Sequence, residues 1–128
     1  MWGKTKSLYR GQFREFDRRG PVLVEIDEHA EELERLADDY RLFGGTLRAV
    51  LIPHRRGGRE LVDVEVDYAR WKVVVGTLPD EIAQEFYRPL RKLERSGTAA
   101  MCVATIETTA SRRAKRASGY QVWLNPAA

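Results

Sequence analysis

The sequence predicts an α+β fold, a small, partly open antiparallel β-barrel with one N-terminal helix and a second helix broken at a proline. Two observations predict it. From Val62 to Val66, valines alternate with Asp63 and Glu65, the period-2 pattern of a strand with one buried face. From Pro79 to Arg95, Ile82, Phe86, Leu90 and Leu93 recur at three- and four-residue intervals, the stripe of an amphipathic helix.

The elements follow in order. Residues 1–20 show no clean period and end at Gly20-Pro21, so they read as a basic tail with aromatic members, and 21–128 as a single domain. Val22 to Ile26 is a short strand, and Asp27 is placed to cap a helix from about Glu28 to Phe43, with Ala30, Leu33, Leu36 or Ala37, and Tyr40 on its apolar side. Gly44-Gly45 ends that helix. Thr46 to Ile52 is a strand that Pro53 should stop, since proline cannot donate to a ladder. Gly57-Gly58 makes HRRGGR a hairpin loop into the Val62 strand, and Asp67 to Arg70 turns the chain into Trp71–Val75. Thr77 and Asp80 resemble a capping box, and Pro89 predicts a break near Arg88. Ala99–Glu107 and Gly119–Leu124 complete the sheet. The expected core is Val62, Val64, Val66, Val73, Val75, Ile82, Phe86, Leu90, Leu93, Val103 and Val122.

With 43% hydrophobic and 32% charged residues, the 128-residue chain has the composition of a soluble domain with one core. Neither a membrane span nor an apolar signal core is visible, so a cytoplasmic protein without membrane contact is expected. The lone Cys102 excludes an intrachain disulfide and, in its apolar run, reads as an inert buried thiol. Net charge is only +3, yet the charges are segregated. The first twenty residues are basic, the first helix is acidic, and positive charge returns in two loops, Arg55-Arg56-Gly57-Gly58-Arg59 and Arg112-Arg113-Ala114-Lys115-Arg116.

The order of elements resembles the HIRAN domain, a small modified β-barrel fused to chromatin-remodelling helicases and also found alone in bacteria and phages. VDVEV, VVVGTLPDE, the helix containing YRPL and the strand AAMCVATI carry the resemblance, and VLVEIDEHAEELERL with RAVLIP extends it upstream, covering roughly residues 22–124. It implies the barrel fold and nucleic-acid binding. Two departures stand out: Pro53 is followed by HRRGGREL, without the asparagine and aspartate typical of the family there, and VLVEID lacks the tyrosines with which eukaryotic members grip a DNA 3′ end.

The residues themselves suggest three functions. If the two basic loops converge at one end of the barrel, Arg55, Arg56, Arg59, Arg112, Arg113, Lys115 and Arg116 would present a phosphate-binding surface, and Tyr68, Trp71, Tyr120 or Trp123 would supply base stacking. The expected function is therefore a non-catalytic nucleic-acid-binding module, favouring single-stranded DNA and working beside a helicase or nuclease partner. The plainer reading is that both loops are solvated and the aromatics belong to the core. As a protein-interaction module, the chain would instead use the acidic helix and the aromatic basic tail. A metal-dependent nuclease would need Asp63, Glu65 and Asp67, with Glu25 or Asp27 and Lys72 nearby, yet alternate acidic positions normally mark a solvated strand face. His29 and His54 have no nucleophile arranged beside them. No catalytic residue, metal site or cofactor is therefore expected.

Overall fold

The computed structural model describes residues 12–27, 30–69, 71–108 and 119–126. Their elements run β1 (Gln12–Glu15), β2 (Val22–Leu23), β3 (Glu25–Ile26), α1 (Glu32–Phe43), β4 (Leu47–Arg56), β5 (Arg59–Tyr68), β6 (Trp71–Thr77), α2 (Asp80–Arg95), β7 (Thr98–Thr108) and β8 (Tyr120–Asn125). The sheet order is β2-β8-β7-β4-β5-β6-β3, antiparallel throughout, with β1 added parallel to β7. The path stays open, but its two ends, β2 and β3, are separated by Val24 alone. One segment therefore bridges both edges: the Val24 N–H donates to the Val122 carbonyl at 2.9 Å and the Asp27 N–H to the Val75 carbonyl at 2.8 Å. The result is the expected α+β, partly open barrel.

Its interior gathers the alternating apolar residues, with Leu51 opposite Val64 and Ala100, and Ala49 opposite Val66 and Cys102. Leu33 and Leu36 of α1 join this core from one side, and Ala83, Tyr87 and Leu90 of α2 from another. Burial pushes the Cys102 thiol up to about 12, with Glu15 adding to the shift, so it stays protonated and inert.

Several local expectations are corrected. The second half of the expected tail joins the fold: β1 pairs with β7, and the side chain of Phe16 is buried against Phe86 at 4.9 Å between ring centroids. Helix α1 begins at Glu32, and Asp27 contributes its carbonyl to the Ala30 N–H rather than a side-chain cap. Strand β4 continues through Pro53 to Arg56, because its ladder to β7 ends at Leu51 and the missing donor falls where only β5 is paired. Thr77 ends β6 instead of capping α2, whose first N–H groups follow Pro79. Pro89 leaves α2 unbroken; Pro89 and Glu85, whose carbonyl loses its donor, are both exposed, so solvent can satisfy what the proline removes. Ile82, Phe86 and Leu93 are half-buried, and Val103, expected in the core, is 46% exposed because odd positions of β7 point outward. No helix among the described residues is long and apolar enough to cross a membrane.

Gly76 marks the tightest approach. A Cβ there would lie 1.9 Å from the backbone oxygen of Glu25, across the β3–β6 ladder that helps bridge the barrel's edges. Gly76→Ala should therefore separate these backbones and cost about 3 kcal/mol or more, read as a lowered urea midpoint or failure to fold.

Candidate functional site

The β4–β5 hairpin is the feature that leaves the barrel. These two strands stay paired out to Arg56 opposite Arg59, whereas β4 loses β7 after Leu51 and β5 has β6 only from Asp63 onward. Residues 52–62 thus continue as a two-stranded arm whose base, Ile52, Pro53 and Val62, is buried in the barrel and whose tip lies roughly 16 Å past the β4–β7 ladder at about 3.3 Å per residue. Gly57 and Gly58 close it with φ of 57° and 80°, the left-handed pair that a two-residue hairpin turn requires. Arg55, Arg56 and Arg59 stand exposed at its tip.

Carboxylates hold part of that charge. Arg55 meets Glu60 at 2.9 Å across the arm, and Arg59 reaches Asp80 at the start of α2 at 3.2 Å. Hydrogen bonding to Tyr87, then to Glu60, holds the Arg55 guanidinium above its ordinary range. Tyr87, Glu60 and Asp80 were not expected at the site from sequence; only the placement of α2 beneath the arm brings them there. Both ion pairs are exposed and exchange readily for another anion, since such pairs contribute roughly 0–1 kcal/mol.

The strands that flank the second basic loop end away from the arm. Antiparallel pairing sets Ala104 opposite Leu47, so β7 leaves the sheet where β4 begins, while the arm projects where β4 finishes. Nine residues of β4 separate these ends, roughly 30 Å. Arg112, Arg113, Lys115 and Arg116 lie outside the described residues. At the root of their loop the Tyr120 phenol is pushed up by burial and by Asp38 and Glu34 of α1, so acidic groups flank that end.

The expected stacking residues are also engaged elsewhere. Tyr68 is buried, donates its hydroxyl to the Gly44 carbonyl at 2.5 Å and meets Tyr40 edge-on at 5.6 Å. Trp71 is half-buried and donates Nε1–H to Asp39 at 2.7 Å. Both lie at the end of β5 remote from the arm and lock α1 onto the sheet. Tyr120 and Trp123 are half-buried in β8.

The largest correction concerns the acidic strand positions. Asp63 and Glu65 are each only 2% exposed and Asp67 is half-buried, so this is no solvated face. Beside them Val50, Ile52 and Ala99 form a second, small buried cluster, which means β5 is covered on both faces. Asp63 sits at the base of the arm with its Oδ2 3.0 Å from Nδ1 of His54. Burial drives the Asp63 carboxyl up to about 7, with Arg56 opposing and Asp27 reinforcing the shift. Burial, then Arg56, lowers His54. Both shifts favour uncharged forms, so a neutral carboxyl facing a neutral imidazole is the arrangement that desolvation selects. Among the described residues, no three His, Cys, Asp or Glu side chains are grouped to hold a metal.

No protein-family model, curated protein or solved structure matches this chain. The likeness to the HIRAN domain rests on the quoted motifs and the order of elements.

A folded carboxyl that titrates near 7 rather than 3.8 binds a proton more tightly than the unfolded chain does, so its contribution to stability is complete below about pH 4 and is lost as pH rises through 7. Asp63→Asn removes that loss. The variant should gain about 2–4 kcal/mol over the parent at pH 8.5, with the gain shrinking toward zero near pH 4. Urea unfolding at both pH values measures the difference, and a gain independent of pH would contradict the assignment.

Proposed function

We propose that this protein is a non-catalytic nucleic-acid-binding module that lays the β4–β5 arm against the phosphate backbone. One observation carries the reading: a two-stranded ribbon extends beyond its neighbouring strands and bears Arg55, Arg56 and Arg59 exposed at its tip. Guanidinium groups form bidentate contacts with phosphate, and a two-stranded β-ribbon has the dimensions of a duplex major groove. Glu60 and Asp80 orient two of the arginines in the free protein and give way to phosphate oxygens on binding. The resemblance to the HIRAN domain supports the same reading and suggests a helicase or nuclease partner.

The sequence-based preference for single strands loses its support at Tyr68 and Trp71, which brace α1 rather than offer ring faces. Contacts to the backbone admit single strands and duplexes alike. Arg112, Arg113, Lys115 and Arg116 belong to residues 109–118, outside the described ones, so the reading rests on the arm.

Fluorescence anisotropy with labelled single- and double-stranded oligonucleotides tests the proposal. Replacing Arg55, Arg56 and Arg59 by alanine should weaken binding about tenfold or more at low salt and flatten the slope of log K against log salt by about 2–3, as three phosphate contacts release their counterions no longer. Absence of binding by the parent protein at low salt, or an unchanged slope in the variant, would sink the idea.

A further inference from the structure

The two ends of the barrel carry opposite surfaces, independently of what the arm binds. At one end α1 finishes with Leu42 and Phe43, which are 72% and 78% exposed, the most exposed large apolar side chains among the described residues. The same helix is acidic, with Glu31, Glu32, Glu34, Asp38 and Asp39 against Arg35 and Arg41. At the other end, where β1 pairs with the start of β7, the second half of α2 and β1 enclose a groove of about 740 Å³. Phe86, Pro89 and Leu93 contribute to its apolar lining, and Arg14, Lys92 and Arg95 stand at its edges as cations, with Glu15 and Asp17 on the β1 lip.

We infer that the groove receives the C-terminal turn of α1 from a second copy of this chain, so that molecules associate head to tail. Apolar exposure and charge both argue for that occupant. Two adjacent apolar side chains, Leu42 and Phe43, project beyond a helix whose acids outnumber Arg35 and Arg41, although Asp38 pairs with Arg41 and Asp39 with Trp71, and the groove offers apolar lining with Arg14, Lys92 and Arg95 against Glu15 and Asp17. Within one molecule the two surfaces cannot meet: α1 is pinned near β6 through Trp71 and Asp39, and α2 packs on β4, β5 and β7 near the arm. A contact between two different surfaces leaves one of each unused in every dimer, so addition continues rather than stopping at two unless a ring closes. Two anchor residues bury far less than the roughly 1,200 Å² of a stable complex, so the association is weak and rises with concentration. Its charged rim makes it weaken with salt.

Sedimentation velocity over a concentration series at low salt tests this. The parent protein should show a weight-average mass that climbs with concentration past that of a dimer and falls back at high salt. Phe43→Asp spoils the projecting turn, and the double change Lys92→Glu with Arg95→Glu spoils the groove; all three positions are exposed, so the barrel should fold in each variant. Either variant alone should stay at least fivefold more dissociated than the parent. Mixed in equal amounts they should form heterodimers that grow no further, because the mixture contains one productive pairing of intact turn with intact groove. A parent protein that is monomeric at every concentration overturns the inference. So does association lost in Phe43→Asp but untouched by the groove variant, which would mean turn-to-turn contact, or a mixture that fails to dimerise.

Discussion

The barrel depends on one short stretch of backbone, Val22 to Asp27, which is hydrogen-bonded to strands from opposite edges of the sheet. Val22 and Leu23 pair with β8, Glu25 and Ile26 pair with β6, and the N–H groups of Val24 and Asp27 extend the two ladders. Without that bridge both edges would expose unpaired N–H and C=O groups, and the valines inside the curl would face water. The approach is close enough that Gly76 has no room for a side chain. Curvature of the sheet, enclosure of the core and the existence of two distinct barrel ends all follow from this closure.

Strand β5 shows what enclosure does to chemistry. It is paired along both edges and buried on both faces, so Asp63 and Glu65 are removed from water as fully as the valines between them. A carboxylate that would be ionised on a solvated strand is instead driven toward its neutral form beside His54. The base of the arm is consequently a low-charge, sensitively titrating region, while its tip a few residues away carries arginines with permanent charge. The titrating carboxyl and the permanent positive charge are thus separated along the same pair of strands.

Antiparallel register distributes the remaining charge. Because β7 runs opposite to β4, the arm and the Thr108 end of β7 lie at different ends of the sheet, and the acidic helix α1 sits with the latter. The aromatic residues Tyr68 and Trp71 are spent on fastening α1. Among the described residues, α2 and the arginine arm therefore stand at one end and a carboxylate-rich helix at the other.

The sequence by itself determined the α+β class, the hairpin at Gly57-Gly58, the inward valines of β5 and the end of α1 at Gly44, because each depends on period, turn chemistry or glycine's backbone freedom within a few residues. It misread Asp63 and Glu65, since alternation of valine and acid reports which residues differ, not whether the second face is later covered. It also misread Pro89, whose cost depends on whether the orphaned carbonyl meets solvent, and Val103, whose run of small apolar neighbours hides which face looks inward. Tertiary structure alone decided that β1 joins the sheet and that Tyr87 and Asp80 meet the arm. Those outcomes depend on strand register and on which surfaces close over others, relations between residues distant in the chain that no local pattern encodes.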